Sequence, residues 1–222
     1  VTPNKSGTFE LLAPFMEEGR RNRISQVIEK RTRGLVLVLE NLYDPHNISA
    51  ILRSAEAMGL QYVYLAGTYP EDLNPEISLG SEHWLTVKRK EKPIELVDRL
   101  KAKGYKVAAT VPDEDGMDPI DYHGSEPVAL LLGSEHAGLS RELVEASDLK
   151  FTIPHHGFTK SMNVSVASAI FVYALLKNPH LRNCPLGEEE KAELLDLWAH
   201  RSVPRADQIL REVQKRNSGA AL

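Results

Sequence analysis

The stretch Ile153-Pro154-His155-His156-Gly157-Phe158-Thr159-Lys160-Ser161-Met162-Asn163-Val164-Ser165-Val166-Ala167 places a polar, glycine-containing turn directly between a short apolar strand and a long apolar helix. The strand is expected over Lys150 to Ile153 and the helix over Asn163 to Leu176. A junction of this kind leaves backbone donors and acceptors free to hold a ligand. The same strand-turn-helix unit recurs upstream. Leu35-Val36-Leu37-Val38-Leu39 is apolar on both faces, which predicts a central, parallel strand. From about Asn47 to Met58, Ile48, Ile51, Leu52 and Ala55 share one helical face, with Gly59 positioned as the stop. Tyr62 to Leu65, Trp84 to Val87, Lys106 to Thr110 and Val128 to Leu132 read as further strands. Pro93 to Lys103 reads as a surface helix ending at Gly104, and Ser140 as the cap of a short helix. This is the βαβ rhythm of an α/β fold, a mostly parallel sheet with helices on both faces.

Composition limits the alternatives. The chain has 222 residues, 42% hydrophobic and 26% charged, which fits an ordinary globular protein with one substantial core and attached helices. A single cysteine, Cys184, allows no internal disulfide. No apolar run approaches the roughly 20 residues of a membrane span, and Val1 to Ser25 lack the pattern of a signal peptide. A cytoplasmic protein is expected, and the Asn-x-Ser sequons at Asn4, Asn47 and Asn163 are chance matches.

The formal net charge of −4 argues against a nucleic-acid partner only if charge is evenly spread, and it is not. Arg20 to Arg33 hold six basic residues against Glu29 alone, and Arg201 to Arg216 hold five against Asp207 and Glu212. Pro179 and Pro185 interrupt the chain before two more helices, at about Glu188 to His200 and Arg205 to Arg216. The layout is therefore a basic helical N-terminal arm over 1–33, a central α/β domain over 34–177 and a helical C-terminal arm over 178–222.

Common ligand signatures fail. The turn after the first strand, Glu40 to Asn47, contains no glycine, so the dinucleotide fingerprint is absent. Gly133 and Gly138 have phosphate-loop spacing, but Leu139-Ser140 follows where a lysine is required. The histidines show no zinc spacing, and adjacent His155 and His156 cannot readily converge on one ion, so no metal is expected. No Gly-x-Ser-x-Gly elbow follows a strand.

Three segments carry a resemblance. Asn47-Ile48-Ser49-Ala50-Ile51-Leu52-Arg53, Leu132-Gly133-Ser134-Glu135-His136-Ala137-Gly138-Leu139-Ser140 and the stretch from Ile153 to Ala167 resemble, in order, the three motifs of the SpoU/TrmH family of RNA ribose 2′-O-methyltransferases. The resemblance implies S-adenosylmethionine as methyl donor, a homodimer with sites at the subunit interface, and a deep C-terminal trefoil knot of the SPOUT type, with about Gly133 to Asn163 threaded through a loop. Knots are nearly absent from proteins in general, so that expectation rests on the family alone.

The resemblance also implies roles. An arginine at the position of Arg53 is ordinarily a solvated or ion-paired surface residue. In the family the matching arginine is the residue proposed to activate the ribose hydroxyl. A guanidinium is a poor base, so Arg53 is expected to lie against the 2′-hydroxyl and adjacent phosphate and to stabilise alkoxide character. Asn47, Ser161 and Asn163 each stand at a helix start, where capping is the ordinary role; the family implies that Asn47 also helps organise the active site, and Ser161 and Asn163, two small polar groups on one loop, are what binding a ribose and a phosphate would need. Glu135, otherwise a turn acid, is expected to orient Arg53 or a substrate group. Thr110, Leu132, Gly133, Ile153 and Met162 are the expected cofactor contacts, at the carboxyl edge of the sheet where open α/β folds hold ligands.

Short helical arms on both sides of the domain are similar to the branch of the family that methylates the D-loop guanosine of tRNA at position 18, with Arg20, Arg21 and Arg23 as candidate RNA contacts. The alternatives are methylation elsewhere in tRNA or in ribosomal RNA, a non-catalytic RNA-binding protein of the same fold, and an enzyme acting on a small molecule. The set Arg53, Glu135, Ser161 and Asn163 opposes a non-catalytic protein, and the arginine-rich arm opposes a small-molecule substrate.

Overall fold

All six residues of β1 (Leu35–Glu40) are buried, as a strand apolar on both faces must be in a sheet covered on both sides. The computed structural model describes residues 7–70, 78, 80–112, 116–159 and 161–219. Asn4, Lys160 and the side chain of Arg216 lie outside the described residues. The remaining strands are β2 (Tyr62–Ala66), β3 (Thr86–Glu91), β4 (Lys106–Thr110), β5 (Val128–Leu132) and β6 (Leu149–Phe151). The helices are α1 (Thr8–Leu12), α2 (Glu18–Ile28), α3 (Pro45–Ala57), α4 (Pro93–Ala102), α5 (Arg141–Ala146), α6 (Val164–Leu175), α7 (Pro179–Arg182), α8 (Glu188–Ser202) and α9 (Ala206–Gly219). Among the described residues no helix is long and apolar enough to cross a membrane.

The strands form one six-stranded sheet in the order β3-β2-β1-β5-β4-β6, every pair parallel. Alternate residues of β1 enter two cores. Leu35, Leu37 and Leu39 pack with Ile48, Ile51 and Leu52 of α3 and with Phe171, Val172 and Leu175 of α6. Val36 and Val38 pack with Leu96, Val97 and Leu100 of α4 and with Leu143 of α5. Each such side chain contributes about 1.5–3 kcal/mol on burial, so the helices are held on opposite faces by one strand. The strand order reverses between β1 and β5, and loops leaving these neighbours diverge there.

Two expectations need correction, and a third element gains detail. The first domain helix begins at Pro45, not near Asn47: Asp44 is its cap, its side chain accepting from His46 N at 2.8 Å, and Pro45 supplies a backbone angle already suited to the first turn. Asn47 is thus inside the helix. Trp84 and Leu85 precede β3 because a 3-10 turn at Ser81–His83 carries the chain up to Trp84, and the strand runs instead through charged Lys88 and Arg89. As an edge strand β3 tolerates those charges, which oppose pairing with another chain. The helix after the Ile153 turn, α6, leaves Val166, Ile170 and Tyr173 exposed along one face, as an apolar helix that awaits a second subunit would.

The chain divides into two compact units, residues 32–184 and residues 7–31 together with 185–219. In the second, Leu12, Ala199, Val203 and Ala206 form a small core, and Phe9 N donates to Asp196 Oδ1 at 2.7 Å. The Arg31 guanidinium stacks over the buried Trp198 ring at 5.4 Å, and Lys191 Nζ pairs with Glu29 at 2.8 Å and Glu188 at 3.1 Å.

Within residues 32–184, Asp148 fastens β6 to the sheet. Its carboxylate accepts from Val107 N at 2.8 Å and from Lys101 Nζ at 2.9 Å. Burial pushes its pKa up, but the hydrogen bonds from Lys101 and Val107 and the charges of Lys101 and Lys106 outweigh that and hold it below the ordinary aspartate value. A carboxyl lowered by folding stabilises the native state above its unfolded pKa of about 3.9, and that contribution disappears as pH falls through the lower native value. Asp148→Asn should therefore cost about 1–2 kcal/mol at neutral pH, with the gap to wild type narrowing below about pH 4. Urea unfolding of both proteins at pH 7 and pH 3 measures this, and equal gaps at the two values would contradict it.

Candidate active site

Gly133 ends β5 against its own loop. A Cβ on it would lie 2.1 Å from the Gly138 carbonyl carbon and 2.2 Å from Leu139 N, so no other residue fits without moving backbone. The loop closes through Ser134 N to Gly138 O at 3.1 Å and Gly138 N to Ser134 O at 2.9 Å, with Gly138 at a φ of 66° that favours glycine. This turn forms one wall of a cavity of about 600 Å³ at the carboxyl ends of β4, β5 and β6. Thr110, Leu132, Gly133, Ile153 and Met162, the expected cofactor contacts, all line it, and so do Glu135 and Ser161. Its floor is apolar, made of Leu139, Val144, Val164, Ala167 and Phe171.

A hydrogen-bonded chain joins the three sequence motifs beside this cavity. Asn47, buried on α3, donates through Nδ2 to Glu135 Oε1 and accepts at Oδ1 from Asn163 Nδ2 at 3.0 Å. Asn163 in turn caps α6, its Oδ1 accepting from Ser165 N at 2.9 Å and from Ser165 Oγ at 2.6 Å. Since Asp44 performs the capping of α3, the Asn47 amide is released to bridge the other two loops. Glu135 is consequently engaged by Asn47, not by Arg53.

Arg53 stands apart. It is exposed on α3 almost two turns beyond Asn47, is not part of the cavity wall, and makes no hydrogen bond or ion pair among the described residues. Arg20, Arg21 and Arg23 lie on α2, in the other unit, with Arg20 and Arg23 exposed and Arg21 half-buried.

Two residues escaped the reading of the sequence. Glu40 is only 2% exposed at the end of β1, and its Oε2 accepts from Ser140 N at 2.8 Å, pinning the start of α5 across the strand-order reversal. A glutamate closing an otherwise apolar strand was the available signal. His155 lines the cavity, and in the sequence only its place two residues after Ile153 marks it as a neighbour of the site.

The profile of the SpoU rRNA Methylase family matches residues 34–173. A tRNA (guanosine(18)-2′-O)-methyltransferase of Aquifex aeolicus is 31% identical over 192 residues, covering 84% of this chain and 91% of that protein. The crystal structure of the A. aeolicus TrmH/SpoU tRNA modifying enzyme superposes with a TM-score of 0.75 at 31% identity, over 85% of this chain and 98% of the other. An AdoMet-bound rRNA methyltransferase from Sinorhizobium meliloti has a TM-score of 0.60 at 27% identity, over 68% of this chain and 58% of its own. The match spans all three motifs that the Asn47 bridge brings together, and by it the chain belongs to the SpoU methylase family.

Proposed function

We propose that this protein is an S-adenosylmethionine-dependent tRNA ribose 2′-O-methyltransferase that modifies the D-loop guanosine at position 18, the nucleotide for which its A. aeolicus relative is named. The observation that carries the reading is the convergence of three separated motifs on one cavity through Asn47. A cavity of about 600 Å³ lies within the range for small-molecule sites, roughly 300–1,000 Å³. An apolar floor suits a purine ring, and the Gly133–Gly138 turn brings backbone groups close to whatever occupies it, so the residues present fit the cofactor. When bound, S-adenosylmethionine supplies a methyl group made electrophilic by its sulfonium centre.

This chain's residues then divide the work. Thr110, Leu132, Gly133, Ile153 and Met162 hold the cofactor, and Glu135, Asn47 and Asn163 fix the loops around it. Ser161 offers a small polar group to the ribose and phosphate of the target. Arg53, exposed and uncommitted to any described side chain, is suited to an RNA phosphate and to the charge developing on the 2′-oxygen. Its distance from its own cavity wall is accounted for by a homodimer in which each site lies at the subunit interface. Val166, Ile170 and Tyr173, spaced four and three apart, present the apolar stripe on α6 for that interface, and α3 packs against α6 beside it.

The knotted threading is supported at β6. Thr110 and Met117 both pair with Phe151, from opposite sides, and Val111 N donates to Phe151 O at 2.9 Å while Thr152 N donates to Met117 O at 3.0 Å. A Cβ on Gly116 would lie 2.7 Å from Thr152 N, so the backbone at Gly116 packs tightly against the end of β6. The terminal segments, 1–33 and 178–222, serve as arms that grip tRNA, and a tRNA substrate places the enzyme in the cytoplasm. The family's description as rRNA methylases favours ribosomal RNA as the second reading.

Methyl transfer from labelled S-adenosylmethionine should give 2′-O-methylguanosine in the D-loop of total tRNA, and label confined to ribosomal RNA would establish the second reading. Arg53→Ala should lower kcat by well over tenfold, more than about 1.4 kcal/mol of transition-state stabilisation, while leaving cofactor affinity near normal. Retention of more than about a tenth of kcat would remove Arg53 from the chemistry.

Sedimentation at micromolar concentration should show a dimer that Ile170→Glu dissociates, since a carboxylate in an apolar interface loses its hydration without a partner. An active wild-type monomer would overturn the shared site.

Replacing Arg20, Arg21 and Arg23 by Ala should weaken tRNA binding without changing affinity for S-adenosylmethionine, and should flatten log affinity against log salt by roughly 0.7–0.9 per lost phosphate contact. Coincident salt plots for wild type and triple variant would place the RNA grip elsewhere, on Arg201 to Arg216.

A further inference from the structure

The cavity wall contains one polar group that the fold leaves unpaired. His155, two residues beyond Ile153, lines the cavity, and its Nε2 is buried without a hydrogen-bond partner among the described residues. The other buried or half-buried polar side chains of the wall are committed. Thr110 Oγ1 donates to Leu131 O at 2.9 Å, and Ser134 Oγ accepts from Ala137 N at 3.2 Å. The Glu135 carboxylate accepts from Asn47, and Ser161 and His136 are exposed to water.

A ring nitrogen covered by protein and left unpaired is held at a free-energy cost that any conformation giving it a partner relieves. The loop around His155 is free to provide one. Its neighbours Pro154, His156, Gly157, Phe158 and Thr159 are all exposed, so the backbone on either side of His155 carries little packing, and the half-buried ring has to turn only from the wall toward the cavity it already borders.

We infer that His155 turns its imidazole into the cavity when S-adenosylmethionine binds and hydrogen-bonds the cofactor through Nε2, making it a positioning residue on the β6–α6 loop. This rests on the reading of the cavity as the cofactor site.

The test measures cofactor binding directly, on the full chain and without RNA. By calorimetry His155→Leu should raise the Kd for S-adenosylmethionine about three- to tenfold, the value of one neutral hydrogen bond, while His155→Gln, which keeps a polar nitrogen near the position of Nε2, should stay within about twofold of wild type. His156→Leu, at the exposed neighbour, should have no effect. In the unaltered protein labelled with nitrogen-15, the His155 Nε2 resonance, assigned by its loss in His155→Gln, should shift on addition of S-adenosylhomocysteine. This second measurement decides the matter if His155→Leu fails to fold. An unmoved resonance, or a His155→Leu Kd equal to wild type, overturns the contact while leaving the cavity as the cofactor site. A wild-type protein that binds no S-adenosylmethionine overturns both.

Discussion

The carboxamide of Asn47 is the fixed point around which the site is assembled. Its nitrogen donates to Glu135 and its oxygen accepts from Asn163, so the two ends of one small group tie the loops after β5 and β6 to the helix after β1. Neither aspartate nor a longer amide satisfies both demands. Aspartate would set a second carboxylate against Glu135, and glutamine would move the amide by a methylene. The bridge falls where the strand order reverses between β1 and β5, and there diverging loops would otherwise leave an open crevice. The buried Glu40 carboxylate closes the same reversal from within by accepting from Ser140 N, so two polar contacts set the spacing of the apolar cavity beside them.

The fold was largely legible because burial on both faces imposes an unambiguous pattern. Leu35 to Leu39 and Val128 to Leu132 contain no polar residue, and both are central strands of the parallel sheet. Legibility failed where two signals competed. Asp44-Pro45 and Asn47 are both credible helix starts, and proline adjacent to an aspartate cap prevails because it supplies both the hydrogen bond and the backbone angle. At β3 the apolar pair Trp84-Leu85 suggested the strand, yet an edge position permits a charged one. Within the site, the order of the motifs and the small polar residues at loop ends were visible in the sequence. The pairing of Glu135 with Asn47 was not, because it depends on a side-chain amide freed from capping 88 positions away in the chain.

Exposure along α6 is a point on which local pattern is silent. A segment apolar on nearly every face, with mostly small residues in its first turns, ordinarily denotes a helix wholly enclosed by its own domain. Here Phe171, Val172 and Leu175 enter the sheet core while Val166, Ile170 and Tyr173 remain outside. The residues facing inward and outward are equally apolar, and no pattern within the chain can distinguish a face covered by the same chain from one that needs another copy.

Taken together, the polar and apolar parts of the site have separate tasks. Apolar side chains from α5, the turn before it and α6 make the cavity floor, and such a floor recognises shape but not charge. Orientation within it must come from backbone groups, which the Gly133–Gly138 turn presents, and from the few side chains not already consumed by the fold. The bridge consumes Asn47, Glu135 and Asn163 to hold the loops, so these residues act through position. Arg53 is spared that role and keeps its guanidinium in solvent, where its charge is available to a polyanion. A site built this way gains rigidity from the residues that its motifs share and leaves the most strongly charged member free until the RNA arrives.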